Sequence, residues 1–152
     1  MKDYLRMQPG ATGEPAVLII SSFEEDHIGF SQILGDCHCE AHAVRTCQQG
    51  LTILRERAVS IVICERDLPD GTWKDILQAL DTLSDRPYLI VTSRLADDHL
   101  WVEVLNLGAY DVLAKPLDHK EVARVIGLAL ENRSRLQDHR AQVMKAGNAG
   151  PH

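Results

Sequence analysis

Polar side chains that could take part in binding or catalysis follow four separate apolar runs of this chain. They are Ser21 and Ser22 after residues 17–20, Glu65 after 61–64, Thr92 and Ser93 after 88–91, and Lys115 after 111–114. Short continuous apolar runs are typical of strands that are buried on both faces. Ligands of a parallel sheet bind where its strands end at their carboxyl edge, so we expect these hydroxyl, carboxylate and ammonium groups to share one site.

Helical patterns separate the apolar runs, and this alternation determines the expected architecture. Predicted strands cover residues 17–20, 40–45, 60–64, 88–92 and 111–114, and predicted helices cover 23–35, a segment around 51–54, 73–80, 100–107 and 118–145. Strands that alternate with helices favour a parallel sheet with right-handed crossovers and helices on both faces. The predicted fold class is therefore α/β, a doubly wound five-stranded parallel sheet.

Composition limits both the number of domains and the class of partner. The chain has 152 residues, of which 45% are hydrophobic and 25% charged, and its net charge is -6. This suits one compact domain, and it argues against binding to nucleic acid or to an anionic membrane, which both require clustered basic residues. With no signal peptide or long apolar stretch, we expect a cytoplasmic protein with four reduced cysteines.

The two ends of the chain differ from the region between them. Residues 1–15 contain glycine and proline without periodicity and are interpreted as a flexible leader, whereas 133–152 are interpreted as a helical extension and tail. Ala129, Leu136 and Val143 recur every seven residues, which is a faint heptad stripe. The extension is thus a solvated tail, a pairing helix or a truncated linker to a lost output domain.

Three segments carry a resemblance to a known family. They are Pro87-Tyr88-Leu89-Ile90-Val91-Thr92-Ser93, Leu107-Gly108-Ala109-Tyr110-Asp111-Val112-Leu113-Ala114-Lys115-Pro116 and the turn Leu68-Pro69-Asp70-Gly71. In this order and spacing they make residues 16–132 similar to the receiver domains of bacterial two-component response regulators. The resemblance implies a flavodoxin-type, CheY-like sheet with strand order 2-1-3-4-5.

The resemblance also implies roles for the residues at the carboxyl edge. In that family an acidic pair binds Mg²⁺, an aspartate accepts the phosphoryl group, a hydroxyl and a lysine contact that group, and an aromatic residue follows the switch. By position, Thr92 and Lys115 match the phosphoryl contacts, while Ser21 and Ser22 stand at the acidic pair, Glu65 at the phosphoacceptor position and Val112 at the switch aromatic. Four departures therefore fall within one site.

These departures have physical consequences of their own. Mg²⁺ is usually held by carboxylates, so Ser21 and Ser22 predict that Mg²⁺ binding is lost or weak, and we expect no cofactor. Glu65 is one methylene longer than aspartate and extends roughly 1.5 Å further, into the space that a phosphoryl group would need. It can instead pair with Lys115 and partly imitate the phosphorylated form.

The expected function is that of a pseudo-receiver in two-component (phosphorelay) signal transduction. We expect a domain that is not an enzyme and acts by protein-protein contact through the face of helix 4, strand 5 and helix 5. Its partner would be a histidine kinase or an output protein, and a homodimer through that face or the C-terminal helix is expected. One alternative is a functional phosphoacceptor that uses an atypical carboxylate, Glu65 or Asp67. The other is a nucleic-acid or output module acting through the basic tail, although residues 147–152 leave no room for a helix-turn-helix.

Several polar residues have plainer interpretations. Ser22 with Glu25 forms a predicted capping box, and Glu24, Glu25 and Asp26 suit a helix start, so they would bind a metal only if the loop shifted. A zinc site fits the cysteine and histidine spacing poorly, because neighbouring strand residues point to opposite faces. Its candidate ligands are Cys37, His38, Cys39, His42 and Cys47, and Cys64 is expected to pack as a small hydrophobe.

Overall fold

The fold is a single five-stranded parallel sheet with helices on both faces, which confirms the predicted fold class. A computed structural model describes residues 13–148. Its strands are β1 (Ala16–Ile20), β2 (Glu40–Val44), β3 (Ile61–Glu65), β4 (Asp67–Leu68), β5 (Gly71–Thr72), β6 (Tyr88–Ser93) and β7 (Asp111–Ala114). Its helices are α1 (Glu24–Asp36), α2 (Cys47–Glu56), α3 (Trp73–Leu80), α4 (Asp98–Asn106) and α5 (His119–Asn148).

The strand order places the polar strand ends side by side. The sheet runs β2-β1-β3-β6-β7, which is the expected 2-1-3-4-5 order once the short β4–β5 hairpin is set aside. All four pairings are parallel, and Glu65 is the register partner of Thr92. The carboxyl ends of the central strands therefore meet at one edge.

Burial follows from the position of each strand in the sheet. Every residue of β1 and β3 is buried, whereas β2 lies at the edge and alternates between half-buried and exposed residues. One face of the sheet packs against α1 and α5, and the other packs against α2, α3 and α4. Continuous apolar runs therefore marked the covered strands, and alternation marked the edge strand, as the sequence predicted.

Side chains cap most helix starts, but the capping box predicted at Ser22 is wrong. Thr72 and Asp75 form a complete capping box at the start of α3. At α1 the N-cap is Phe23, which makes no side-chain cap bond, and the Phe23 amide donates instead to Ser21 Oγ at 3.1 Å. The hydroxyl that organises this turn is thus one residue earlier than predicted, since Ser21 ends the buried strand and faces inward.

The β4–β5 hairpin holds the loop after β3 against α2. Asp70 accepts hydrogen bonds from the Cys47 and Gln48 amides at 2.8 and 3.0 Å, and these amide bonds lower the pKa of the Asp70 carboxyl. A Cβ at Gly71 would lie 2.5 Å from Asp75 Oδ2 and 3.0 Å from Cys47 Sγ, so only glycine fits this close approach. The Leu68-Pro69-Asp70-Gly71 turn therefore fixes the backbone that follows Glu65.

Helix α5 continues without a break past residue 132. Ala129 is fully buried in the core between α5 and the sheet, so it is not available to a heptad stripe, and that part of the stripe prediction is wrong. Arg133 and Gln137 still contact the domain, because both bind the Asp85 carboxylate, at 3.2 and 3.0 Å. Only Leu136 and Val143 of the stripe are solvent-exposed.

Some expectations concern residues outside this description. Most of the predicted leader, residues 1–12, and the last four residues, 149–152, lie outside the described residues. Within 13–148, no helix is both long and apolar enough to cross a membrane.

Candidate functional site

The structure brings together the predicted site residues at the ends of β1, β3, β6 and β7. Ser21, Glu65, Thr92 and the Lys115 side chain are all buried. Glu65 Oε2 lies 2.6 Å from Lys115 Nζ, which is the ion pair expected from the sequence. The Thr92 hydroxyl donates to the same Glu65 oxygen at 2.8 Å. Two groups thus converge on one carboxylate oxygen.

A second carboxylate, which the sequence did not assign to this site, completes it. Lys115 Nζ donates to Asp26 Oδ2 at 2.9 Å, and the Ser21 hydroxyl donates to that oxygen at 2.6 Å. Asp26 is only 2% exposed, whereas the sequence had assigned it only to a helix start. The signal was present in the helix period, because Asp26 is four and seven residues before the buried Phe30 and Ile33.

The site therefore contains one cation between two anions. A lysine buried to this degree requires compensation, and removing one member of such a group leaves an uncompensated buried charge. The Phe23 ring adds a further contact, since Lys115 Nζ lies 4.5 Å from its centroid. Every favourable contact of this ammonium is thus supplied from within the chain.

The positions of the acidic pair are occupied by serines that are engaged with neighbouring groups. Ser21 Oγ accepts from the Phe23 amide and donates to Asp26, and its carbonyl lies 2.7 Å from His27 Nε2. The carbonyl of Ser22 accepts from Arg45 at 3.1 Å. Among the described residues, no three His, Cys, Asp or Glu side chains come together to hold a metal ion. The donor set is thus hydroxyls with two lysine-compensated carboxylates, which does not fit the carboxylate-rich oxygen shell of Mg²⁺.

The remaining acidic candidates lie at the rim and face solvent. Glu24 pairs with Arg45, and Glu25 pairs with Arg94, with more than half of each side chain exposed. Asp67 is 65% exposed and pairs with its neighbour Arg66 at 3.0 Å. None of these carboxylates contacts Lys115 in the way that Asp26 does.

Val112 lies in the core beneath the sheet and does not reach the surface. It is 3% exposed and packs within the cluster that includes Val91 and Val104. A β-branched side chain of this kind has few χ1 choices, so it supplies no group that could swing between the interior and the surface.

The candidate zinc ligands differ in their burial and in their contacts. Burial raises the pKa of Cys39 and of Cys47 to about 11, and Cys64 is fully buried within β3. Both ring nitrogens of His42 lie within 3.1 Å of the Arg57 guanidinium, which together with burial lowers the pKa of His42. At neutral pH, Cys39 and Cys47 are therefore protonated thiols.

Comparisons with known proteins agree with this geometry. Residues 17–127 match the model of the response regulator receiver domain family. The regulatory proteins VirG of Rhizobium rhizogenes and Agrobacterium fabrum are 29% and 30% identical over 102 residues, which is 65% of this chain. The match covers 42% and 40% of those two proteins, so the chain spans less than half the length of the curated relatives it matches.

A solved structure agrees as well. The signal receiver domain of an HD domain-containing protein from Pseudomonas fluorescens Pf-5 is 26% identical, with a TM-score of 0.73. That alignment covers 80% of this chain and 98% of the other. The family match and the strand order lead to one conclusion: this chain belongs to the response regulator receiver domains of two-component signalling.

Proposed function

We propose that this receiver domain signals without phosphorylation, by contact with another protein. The observation that carries the proposal is the convergence of Lys115 and Thr92 on Glu65 Oε2, at 2.6 and 2.8 Å. The family resemblance assigns these two positions to contacts with the phosphoryl group. In this chain Lys115 and Thr92 already contact the carboxylate of Glu65.

Charge compensation opposes phosphoryl transfer to Glu65. Transfer depends on positioning the donor and on neutralising its oxygens, usually with Mg²⁺. Lys115 is committed to Glu65 and Asp26 and is only 5% exposed, so it would have to leave a buried carboxylate to serve a phosphoryl group. While the donor phosphate is still intact, that movement would leave Glu65 and Asp26 as buried carboxylates without a cation.

Mg²⁺ would meet a similar obstacle. Asp26 and Glu65 each bind Lys115 Nζ through one oxygen, and the Ser21 hydroxyl already donates to Asp26. A divalent ion would have to displace the ammonium from both carboxylates, and the two serines would add only neutral hydroxyls as further ligands. We therefore include in the proposal that the site does not recruit Mg²⁺.

The surface proposed for protein contact is the α4–β7–α5 face. On α4, Trp101, Val102 and Leu105 are 38%, 58% and 45% exposed, whereas Leu100 and Val104 of the same helix are buried. Apolar residues that face solvent together in this way mark an interaction surface. A second copy of this chain would cover the same patch on both partners, so the expected assembly is a two-fold homodimer. A histidine kinase or an output protein remains the expected partner in the pathway.

Phosphodonor labelling tests the proposal directly. The full chain is incubated with acetyl phosphate and Mg²⁺, and its intact mass is measured. We expect no added phosphate, and Glu65→Asp alone should not gain any, because Asp26, Ser21 and Ser22 are unchanged.

Stoichiometric labelling of the unmodified chain would reject the proposal in favour of an atypical phosphoacceptor. Labelling that persists in Asp67→Asn but is lost in Glu65→Gln would place the phosphate on Glu65. The reverse pattern would place it on the exposed Asp67 carboxylate.

A further inference from the structure

A pocket lies where the strands β6 and β7 begin, at the opposite end of the strands from Lys115. It occupies about 210 Å³ between the loop before β6, the start of β7 and the solvent side of α5. Its walls include three arginines, two tyrosines and a leucine, namely Arg86, Arg133, Arg140, Tyr88, Tyr110 and Leu136. Neither the family resemblance nor the proposed function uses this pocket.

Arg133 is the central cation of this pocket, and its hydrogen-bonding capacity is only partly used. Its guanidinium pairs with Asp85 at 3.2 Å, and its other contacts, to Ser60 Oγ and to the Asp85 carbonyl, are both long at 3.4 Å. Arg133 is 9% exposed, and its Nε is buried without a hydrogen-bond partner among the described residues. A buried donor without a partner is costly, so the contacts of Arg133 within the domain leave its side chain incompletely satisfied.

The charge of the pocket favours an anion. Arg86 pairs with Asp81 at 2.8 Å and Arg133 with Asp85, whereas no ion pair within residues 13–146 involves Arg140. Three guanidinium groups therefore face two carboxylates, which leaves one positive charge in excess. Guanidinium groups bind phosphate and carboxylate oxygens through paired hydrogen bonds, so an anionic head is the matching chemistry.

The remaining walls favour a flat apolar body. Tyr88 and Tyr110 stack with ring centroids 4.8 Å apart and an interplanar angle of 16°. The Asn132 amide donates to the Tyr110 hydroxyl at 2.9 Å, which fixes that ring. Leu136, which is 38% exposed, adds an aliphatic wall beside the arginines. A volume of about 210 Å³ equals that of about seven liquid waters, which suits a small molecule and not a peptide.

We propose that this pocket binds a small aromatic phosphate. Its phosphate meets Arg140 and Arg133, and its ring lies between the tyrosine stack and Leu136. The α5 wall of the pocket is attached to the domain through Asp85 in the loop before β6, which binds both Arg133 and Gln137.

Phenyl phosphate is the probe for this pocket, and isotope-labelled full chain is titrated with it while backbone amide signals are followed by NMR. We expect saturable shifts at residues 85–89, 108–110 and 133–140, with a Kd of about 1 mM or lower. Inorganic phosphate should bind about tenfold more weakly and phenol should cause no saturable shift, because each probe carries only half of the recognised chemistry.

Matched variants on α5 separate the pocket from general charge effects. Arg140→Gln should weaken phenyl phosphate binding about tenfold, since one charge-assisted contact is lost. Arg135→Gln removes the same charge from the same helix, at an exposed position where Arg135 pairs with Glu131, and should leave binding unchanged.

Three results would overturn the proposal. One is the absence of shifts in these segments up to about 10 mM probe, where a ligand with a Kd of about 1 mM is mostly bound. Another is an equal loss of binding in both arginine variants. The third is equal binding of inorganic and phenyl phosphate, which would remove the aromatic ring from the recognised chemistry.

Discussion

The Thr92 hydroxyl donates a hydrogen bond of 2.8 Å to Glu65 Oε2, its neighbour across the β3–β6 pairing. Lys115 contacts the same oxygen at 2.6 Å. In the receiver family the corresponding hydroxyl and lysine contact the phosphoryl group, whereas here both contact one carboxylate oxygen of the chain itself.

Substitutions in the buried ion cluster should have unequal effects on stability. Lys115→Met leaves Asp26 and Glu65 as two buried carboxylates without a cation and should lower the free energy of unfolding by about 3–5 kcal/mol. Glu65→Gln leaves Lys115 paired with Asp26 and should cost less, about 1–3 kcal/mol. Urea unfolding measures both values.

The double variant checks that the two residues act together. Lys115→Met combined with Glu65→Gln should cost less than the sum of the single changes, because it removes a cation and an anion at once. Strict additivity would contradict the ion cluster described for this site.

Millimolar Mg²⁺ should leave the protein unchanged. We expect no saturable change in the fluorescence of the buried Trp73 and no shift of the thermal midpoint, because the nearby carboxylates are compensated by Lys115. The control is potassium chloride at the same ionic strength. A saturable response to Mg²⁺ alone would show that Asp26 or the rim carboxylates have been recruited.

Stability should fall below neutral pH through His42. Burial and the Arg57 guanidinium lower the pKa of His42 from its ordinary value of 6.5, so the folded protein resists a proton that the unfolded chain accepts. The unfolded state then binds more protons below pH 6.5, and the free energy of unfolding falls as the pH decreases through that value and through the lower folded pKa.

Comparison of two histidine variants by urea unfolding isolates this contribution. The measurements run from pH 7.5 down to pH 5, which covers about one pH unit or more on each side of the ordinary pKa. His42→Gln should show a shallower loss of stability than the unmodified chain, whereas His139→Gln, at an exposed position on α5, should not. If the free energy of unfolding of His42→Gln falls with pH as steeply as that of the unmodified chain, other groups cause the effect.

The cysteines should react slowly in the folded state. At pH 8, a thiol with a pKa of about 11, as for Cys39 and Cys47, is about 0.1% thiolate. Intact mass after iodoacetamide treatment should show little alkylation of the native chain and rapid alkylation in urea. Fast native alkylation of Cys39 would contradict its burial.

A homodimer through α4 should be sensitive to charge on that helix. Leu105→Glu should shift the full chain toward monomer in sedimentation velocity, because it places a charge in the proposed apolar interface. Ile28→Glu alters a more exposed apolar residue on α1, on the other face of the sheet, and should have no effect. Neither variant should respond to a phosphodonor.

A shortened chain tests the contribution of the C-terminal helix. The shortened version should end at residue 140, since an earlier end would remove the Arg133 and Gln137 contacts with Asp85. We expect it to sediment as the full chain does if α4 supplies the interface. A monomer at tens of micromolar for both chains, combined with a phosphodonor effect on either, would contradict a constitutive assembly.

The fold was predictable because each strand carries a pattern that matches its place in the sheet. Residues 17–20 and 61–64 are uniformly apolar and lie in the covered centre, while 40–45 alternate and form the edge strand. Lys115 was predictable as an ion-pair partner of Glu65, since a lysine at the end of a buried strand requires an anion.

The errors arose in helices, because the sequence of a helix does not by itself show which side of that helix is buried. Asp26 was grouped with Glu24 and Glu25 by charge, yet the helical period directs it inward and its neighbours outward. Ala129 was assigned to a stripe by its seven-residue spacing, but the same spacing also fits the core side of α5. In both cases the neighbouring elements determine which side of the helix is buried, and one sequence alone does not show which elements are neighbours.

The lysine buried between Asp26 and Glu65 also bears on how such a domain can be regulated. Charges this deeply buried are screened little by salt, so ionic conditions leave the cluster intact. Under the proposed function, every molecule presents the same surface to its partner. The amount of complex would then follow mass action, so that synthesis and degradation of the protein would set the output.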